Sequence, residues 1–366
     1  MHVKNIRLIN FRNYNNISLD FNRKTNVFLG KNAQGKTNLL EAIYICATGR
    51  SFRTNRDREI INFAKKEAYV GANANIGDYD KFIEVKMERD RPKRIRINKT
   101  ELKNYRELYS GLNVIVFSPD DLKLVKEGPQ ERRNFLDLEI SQIKPVYNHN
   151  ILRYNKILFQ RNNLLRLNRF NSDIENLLEV FDLQLANIGT DIVLERKKYI
   201  GEINQICKST HNKISSYREN LELSYISNID IYDNKLDMEE YYVNMLKKNR
   251  KKDIEASSTQ LGPHRDDIYI SVNDRELKTF GSQGQQRTAV LSIKLSELEL
   301  IRRQKGFFPV LLLDDVFSEL DEERKKYLIS FFKDIQTLIT TTDTTDLKEL
   351  DNIEKSVFHI ENGSIR

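Results

Sequence analysis

The sequence lacks the features that mark exported, disulfide-bonded or membrane-spanning proteins. It contains only two cysteines, Cys46 and Cys207, too few for a disulfide framework or a cysteine-based zinc site. No apolar run approaches the roughly 18 residues that a transmembrane helix needs. The first residues, Met1 to Ile6, lack the apolar core of a secretory signal. We therefore expect a cytoplasmic protein with no membrane contact, in which both cysteines are small core residues.

Charges of both signs are abundant, and the positive excess is modest. Lys and Arg number 60 against 53 Asp and Glu, so the formal net charge of +7 weakly favours anionic partners. Hydrophobic residues make up 39% of the 366 residues, enough for a sizeable core. The length accommodates two lobes, or one large α/β domain that carries an insertion.

Clusters of basic residues indicate candidate DNA contacts. In an Arg-Ile-Arg-Ile stretch, Arg94 and Arg96 share one face of a predicted strand and can lie along phosphates. The alternative is an edge strand whose charges protect it from aggregation. A second set, which includes Arg50 and Arg53, follows the first long helix. For a third basic run, over 247–252, a solvated helix end is the favoured interpretation.

Apolar periodicity divides the chain into three stretches. Residues 1–117 contain strand patterns and one helical segment, 37–48, which ends at Gly49. From 118 to 257, leucine, isoleucine and aromatic residues recur mainly at helical spacing. From 258 to 366 the pattern is α/β again. We predict a discontinuous α/β lobe built from the two outer stretches, with a helical second lobe between them.

The clearest motif follows an apolar strand pattern and precedes the first helix. It fits G-x-x-x-x-G-K-[ST] in full, with the residues Gly30, Lys31, Asn32, Ala33, Gln34, Gly35, Lys36 and Thr37. Backbone N–H groups of such a loop face nucleotide phosphates, and the helix N-terminus adds positive potential. We expect Lys36 to reach the β- and γ-phosphates of ATP and the Thr37 hydroxyl to ligate Mg²⁺. A chance match is the alternative, and the strand–loop–helix context argues against it.

A pair of acids ends a second apolar run. Residues 309–313 read Pro-Val-Leu-Leu-Leu and are followed by Asp314 and Asp315. A buried parallel strand that delivers a carboxylate to a site has this pattern. We expect Asp314 to hold Mg²⁺, directly or through water, and Asp315 to polarise the attacking water. For Asp315, a helix cap or a surface acid is the alternative.

A third motif opens the long helical segment that precedes this strand. It consists of Ser282, Gln283, Gly284, Gln285 and Gln286. A Ser-x-Gly-Gln element at a helix N-terminus offers a hydroxyl, backbone amides and the helix dipole to a phosphate. A capped helix with a flexible entry is the alternative.

Together these motifs and the Ser-Glu-Leu-Asp segment at 318–321 resemble the heads of ABC-type ATPases. The closer resemblance is to the RecF family of bacterial recombination mediators, which is related to SMC proteins. It extends from Lys4 to the C-terminal strand. The stretches that carry it are Leu8–Tyr14, Ala47–Arg53, Phe117–Leu122, Gly128–Arg133 and Gly262–Asp267.

The resemblance implies an ATP-dependent head-to-head homodimer. In it, Ser282, Gly284 and Gln285 of one subunit complete the nucleotide site of the other, with Gln283 and Gln286 in the same signature. Ser318 to Asp321 would form the D-loop at the dimer seam.

The resemblance also implies a function. Arg12 and Asn13 match the position where related heads approach the nucleotide. Members of the family bind DNA in an ATP-dependent way, with gaps or single-strand/double-strand junctions as targets. They hydrolyse ATP slowly and work with RecR and RecO to help RecA load.

The sequence departs from the wider ABC pattern in two places. Many ABC enzymes have Glu after the Mg²⁺-holding Asp, whereas this chain has Asp315. The shorter side chain holds its carboxylate farther from the water, which suits slow, switch-like hydrolysis. Residues 338–343 offer threonines where transporters have a histidine, so the sequence does not identify the residue that senses the γ-phosphate. His264 lies in a Gly-Pro-His-Arg segment, and the sequence leaves open whether it contacts nucleotide or DNA.

Two other classes of protein compete with this interpretation. A transporter ATPase subunit would need a membrane partner and usually that histidine. A structural SMC-type cohesion protein would need hundreds of heptad residues between its nucleotide motifs, and the gap here is far too short.

Overall fold

The computed structural model describes residues 1–103, 105–167, 174–343, 348 and 350–365. The strands are β1 (His2–Phe11), β2 (Tyr14–Asp20), β3 (Thr25–Leu29), β4 (Glu67–Ile76), β5 (Tyr79–Glu88), β6 (Arg91–Ile97), β7 (Thr100–Glu101), β8 (Val114–Phe117), β9 (Leu221–Ile226), β10 (Asp267–Val272), β11 (Arg275–Glu276), β12 (Val310–Asp314), β13 (Thr337–Thr341), β14 (Lys355–Glu361) and β15 (Ser364–Ile365).

The helices range in length from 4 to 41 residues. They are α1 (Lys36–Thr48), α2 (Lys123–Lys126), α3 (Pro129–Ile143), α4 (Pro145–Leu167), α5 (Ile174–Ile214), α6 (Lys235–Ala256), α7 (Leu277–Phe280), α8 (Gln283–Lys305) and α9 (Glu322–Ser330). Within the described residues, no helix combines the length and apolar character that a membrane crossing requires.

The chain folds as two compact units, each assembled from separate stretches. The first unit comprises Met1–Leu122, Lys213–Tyr217 and Arg287–Arg366, and the second comprises Lys123–Asn212 and Arg218–Gln286. The division differs from the expected boundary at 257/258, because residues up to Gln286 cluster with the second unit. Strand pairing explains the difference, since β10 pairs along its whole length with β9.

A mostly parallel sheet in the first unit positions the phosphate-loop motif. Its strand order is β15-β14-β3-β13-β12-β8, and every residue of β3, β12 and β13 is buried. Parallel strands covered on both faces read as continuous apolar runs, as β12 does. The register pairs Leu29 with Thr341 and Asp314 with Thr340. The loop after β3 and the acids after β12 therefore emerge at the same edge of the sheet.

An antiparallel sheet, also in the first unit, carries the Arg-Ile-Arg-Ile stretch. Its strand order is β2-β1-β4-β5-β6-β7. On β6 the side chain of Ile95 is buried, while Arg94 and Arg96 are far more accessible, as strand alternation predicts. The short strand β7 pairs with β6 only at Arg96 and Ile97. Most of β6 therefore runs along the margin of the sheet.

The second unit combines helices with a small sheet in the order β11-β10-β9. A buried ionic cluster joins its three longest helices. Arg161 on α4 donates to Asp182 on α5 at 2.8 Å and to Asp253 on α6 at 2.7 Å, and all three side chains are fully buried. Arg250 also pairs with Asp182 at 2.8 Å. Burying these charges is tolerable only because each of them is paired.

Candidate functional site

The loop after β3 lines a pocket of about 750 Å³ in the first unit. This volume lies within the range of small-molecule sites. The wall contains residues of the loop, of the β1–β2 turn, of the segment after α1 and of the ends of β12 and β13. Among them are Arg12, Asn13, Asn32, Ala33, Gly35, Lys36, Thr37, Asn38, Arg53, Arg58, Phe63, Arg89, Asp315 and Thr340.

Two loop positions require glycine. Gly35 has a φ of +115°, and a Cβ there would lie 2.6 Å from the Asn13 amide nitrogen. Gly30 has no space for a Cβ, which would collide with the carbonyl oxygen of Ile360 on β14. The glycines of the motif therefore let the loop pass close to its neighbours as well as to a ligand.

Neighbouring polar side chains hold the loop in place. Asn13 Nδ2 donates to the Gln34 carbonyl at 2.8 Å, and Asn13 Oδ1 accepts from Asn38 Nδ2 at 2.8 Å. The Tyr14 hydroxyl donates to the Gly35 carbonyl at 3.0 Å. Asn13, expected near the nucleotide, thus lies in the pocket wall and supports the backbone that would bind phosphate.

The ammonium of Lys36 folds back onto the loop. Its Nζ donates to the carbonyls of Gly30 at 2.6 Å and Lys31 at 2.9 Å. An ammonium has three donors, so one N–H remains for a phosphate oxygen. Burial lowers the pKa of Lys36, while the carboxylates of Asp315 and Asp314 act in the opposite direction.

The residues expected to hold Mg²⁺ meet beside the loop. Thr37 Oγ1 donates to Asp314 Oδ1 at 2.7 Å, and Thr340 Oγ1 donates to the same oxygen at 2.8 Å. The Asp314 side chain is buried, and its carboxylate is oriented by these two hydroxyl groups. One carboxylate and one hydroxyl fit Mg²⁺, which prefers oxygen ligands and usually takes phosphate and water oxygens for its other positions.

The backbone turns sharply between the two acids. Asp315 has a φ of +54°, and its N–H donates to Thr340 Oγ1 at 3.0 Å. Asp314 therefore faces Thr37, while Asp315 lines the pocket. Thr340 belongs to the threonine stretch at 338–343. Its hydroxyl contacts the Asp314 carboxylate and the Asp315 backbone, and it lies in the pocket wall.

The predicted D-loop residues stabilise the segment that follows. Ser318 Oγ donates to the Asp315 carbonyl at 2.8 Å. Asp321 is the N-cap of α9, and its side chain accepts from the Arg324 N–H at 3.0 Å. Both residues thus have local roles within one chain.

A buried carboxylate on α1 orders the arginines near the pocket. Glu41 is fully buried and accepts from Arg12 through Nε at 2.9 Å and Nη2 at 2.6 Å. It also lies 3.6 Å from Arg53, which donates to Asn38 at 2.8 Å. Arg53, predicted as a DNA contact, therefore lies in the pocket wall, whereas Arg50 is exposed just beyond α1.

The other predicted DNA contacts are paired with acids. Arg94 Nη2 lies 2.6 Å from Glu88, and Arg96 Nη2 lies 3.7 Å from Glu101. Both arginine side chains are nearly half exposed. They share a solvent-facing surface, although neighbouring carboxylates offset part of their charge.

The signature turn in the second unit is a reciprocal helix cap. The Ser282 N–H donates to Gln285 Oε1 at 2.9 Å, and the Gln285 N–H donates to Ser282 Oγ at 3.2 Å. This is the capping-box arrangement, so the capped-helix alternative accounts for both residues. Gln283 and Gly284 are exposed, whereas Gln286 is buried. Because Ser282 Oγ accepts in the cap, its O–H can still donate to a phosphate.

His264 is partly buried in the second unit. Its Nδ1 lies 2.8 Å from the Tyr154 hydroxyl and its Nε2 lies 3.0 Å from the Thr259 carbonyl. The carbonyl can only accept, so the neutral Nε2–H tautomer fits both contacts. Burial lowers the pKa of His264 to about 4. The side chain is committed to packing within this unit.

Some residues of the pocket wall carry no signal in the sequence. Phe63 belongs to no motif, and Arg89 is only one charge in a basic cluster. They meet the loop through tertiary contacts between segments far apart in the chain, so no local pattern marks them.

The parallel sheet, the loop between β3 and α1 and the paired acids after β12 define an ABC-type P-loop ATPase head. The family model for the RecF/RecN/SMC N-terminal domain matches residues 2–366. The chain belongs to the RecF family. The predicted fold class and the resemblance to this family are both confirmed.

Individual relatives match over the full length. The DNA replication and repair protein RecF of Clostridium novyi (strain NT) is 45% identical over 365 residues, which cover 100% of this chain and 99% of the relative. The protein of the same description from Alkaliphilus oremlandii (strain OhILAs) is 47% identical over 367 residues, with 100% of both covered.

Solved structures match in the same way. The recombination mediator protein RecF-ATP in the RecFOR pathway has a TM-score of 0.93 at 37% identity, covering 100% of this chain and 97% of that one. An SmcHead bound to the C-winged helix domain of ScpA has a TM-score of 0.57 at 16% identity, covering 100% and 96%. The second likeness shows the shared fold alone.

Proposed function

We propose that this chain is an ATP-dependent DNA-binding protein of recombinational repair that acts in the cytoplasm. The observation that carries the proposal is the convergence of Thr37, Asp314 and Thr340 beside a complete phosphate loop. Membership of the RecF family supports it, because the relatives are DNA replication and repair proteins and a similar solved structure is that of RecF with ATP.

Each element of the pocket has a role toward ATP. The loop N–H groups and the N-terminus of α1 hold the phosphates, and Lys36 contributes its charge. Thr37 and Asp314 hold Mg²⁺, which when bound neutralises charge on the phosphate oxygens. Asp315 polarises the attacking water. Its short side chain reaches less far than Glu would, so hydrolysis is slow and serves as a switch.

The signature acts in trans. In an ATP-dependent homodimer, the Ser282 hydroxyl and the N-terminus of α8 contact the phosphates held by the partner's loop. The capping box presets this geometry, since it fixes Ser282 while leaving its O–H able to donate. Ser318 and Asp321 lie at the dimer seam.

The dimer binds DNA at gaps or single-strand/double-strand junctions. Arg50, Arg94 and Arg96 are the proposed phosphate contacts. Arg53, also expected to contact DNA, lines the pocket and is proposed to contact the nucleotide instead. With RecR and RecO, the bound dimer promotes RecA loading, and DNA-stimulated hydrolysis of ATP releases it.

Mixing two defective variants tests the trans site. Lys36→Met removes a loop charge and Ser282→Ala removes a signature hydroxyl, so each homodimer has two damaged sites. A mixed dimer regains one intact site if the signature acts in trans, and none if it acts in cis. We expect ATPase activity to reappear on mixing. Activity that stays absent, or wild-type protein that stays monomeric with ATP at micromolar concentration, contradicts the proposal.

DNA binding can be tested separately by its salt dependence. The double variant Arg94→Gln/Arg96→Gln should reduce the slope of log affinity against log salt by about two for each subunit that contacts the DNA, because each arginine would neutralise one phosphate. An unchanged slope would exclude both residues from the DNA interface. Measuring the oligomeric state of the protein with ATP, with ADP and without nucleotide, each with and without duplex DNA, then tests whether dimerisation and DNA binding are linked.

A further inference from the structure

An aromatic ring in the pocket wall has no packing role in the fold. Phe63 lines the pocket together with the phosphate loop, and the residue is 98% exposed. No other large hydrophobic residue in the described part of the chain is as exposed. A phenyl ring facing water inside a ligand pocket offers both of its faces to a planar partner.

The backbone that carries this ring is nevertheless held firmly. Asn62 N–H donates to the Asn10 carbonyl at 2.8 Å. The Arg89 guanidinium donates to the carbonyls of Lys65 at 2.9 Å and of Phe63 itself at 3.2 Å. The position of Phe63 is thus set by hydrogen bonds to two other segments. A ligand that contacts the ring does not have to order the loop first.

We propose that the base of the bound nucleotide stacks on Phe63. The inference rests on the proposed function, in which residues 30–37 hold the phosphates. Phosphates at the loop leave the base to be held by another part of the same wall, and Phe63 supplies the aromatic surface there. Stacking uses the π-face that every base has, so Phe63 contributes equally to ATP and GTP binding. Its contribution to CTP and UTP is smaller, because a pyrimidine has a smaller π-surface than a purine.

Inorganic tripolyphosphate separates contacts to the base from contacts to the phosphates. Equilibrium binding of ATP and of tripolyphosphate, each with Mg²⁺, should be measured by calorimetry for Phe63→Ala, Phe63→Trp and the wild type. Aromatic–base stacking corresponds to about 5- to 150-fold in affinity, and an exposed ring belongs near the lower end. We expect Phe63→Ala to weaken ATP binding about 5- to 20-fold and to leave tripolyphosphate binding unchanged. Phe63→Trp should keep the ATP affinity.

A matched control addresses general effects of removing an exposed aromatic residue. Tyr79 at the start of β5 is 75% exposed and lies outside the pocket wall, so Tyr79→Ala should bind both ligands as the wild type does. Thermal unfolding should be unchanged for Phe63→Ala, because the ring packs against little of the fold.

Two outcomes overturn the inference. Phe63→Ala could bind ATP as tightly as the wild type, or it could lose affinity for ATP and tripolyphosphate equally. In the first case, a loss of affinity for DNA would assign the ring to nucleic acid. Lys36→Met distinguishes failure of base stacking on Phe63 from failure of the proposed phosphate site. If Lys36→Met binds ATP and tripolyphosphate normally, the proposed phosphate site itself fails, independently of the result for Phe63→Ala.

Discussion

Replacing Thr340 with valine should weaken Mg²⁺-dependent ATP hydrolysis at least tenfold. The Thr340 hydroxyl donates to Asp314 Oδ1 at 2.8 Å and accepts from the Asp315 N–H at 3.0 Å. Valine keeps the shape and removes both hydrogen bonds, leaving the Asp315 N–H its longer contact of 3.3 Å to the Thr340 carbonyl. A hydrogen bond to a charged group contributes about 1.5–3 kcal/mol, which corresponds to about 10- to 150-fold.

The assay is the initial rate of ATP hydrolysis as a function of Mg²⁺ concentration. For Thr340→Val we expect a higher Mg²⁺ concentration at half-maximal rate and a lower kcat, with metal-free ATP binding unchanged. Thr337→Val is the matched control on the same strand, because its hydroxyl donates only to the Ile335 carbonyl at 3.3 Å. A wild-type Mg²⁺ profile for Thr340→Val, or equal losses in the two variants, would refute the assigned role of this hydroxyl.

Two further predictions concern the second unit. Arg161→Met should lower the free energy of unfolding in urea by about 3–5 kcal/mol, because it leaves Asp253 buried without its cation. The loss should shrink at acidic pH, where Asp253 becomes protonated, and Arg250→Met should cost less because Asp182 keeps Arg161. His264 titrates with a pKa of about 4 when folded and near 6.5 when unfolded, so the unfolded chain takes up its proton first as the pH falls. Stability should therefore drop by up to about 3 kcal/mol between pH 6.5 and 4. Urea unfolding of His264→Gln should show a shallower dependence over this window, and an equal slope would contradict the assignment.

The position of the phosphate-loop motif and of the paired acids in the fold could be predicted from the sequence, because their signals are local. The loop at 30–37 needs glycine at fixed positions, and the buried strand before Asp314 needs continuous apolar residues. Both patterns fit within a few residues of chain. Their juxtaposition follows from parallel pairing at one sheet edge, which the strand patterns also indicate.

The contacts that complete the site could not be predicted in this way. Phe63 and Arg89 meet through a loop and a hairpin, and neither residue type signals the contact. The strand β9 is short and its partner β10 begins some forty residues later, so its alternation stands out little from the surrounding helices. For that reason the sequence pattern places the boundary of the second lobe at 257, whereas the unit extends to Gln286.

The position of β3 in its sheet has a consequence for biosynthesis. Its two neighbours are β13 and β14, which come from residues 337–341 and 355–361. On the ribosome, this apolar strand has both edges unpaired until nearly the entire polypeptide has emerged. Such edges are prone to non-native association, so the nascent protein should depend on holding chaperones. Release of truncated products should accordingly yield insoluble material.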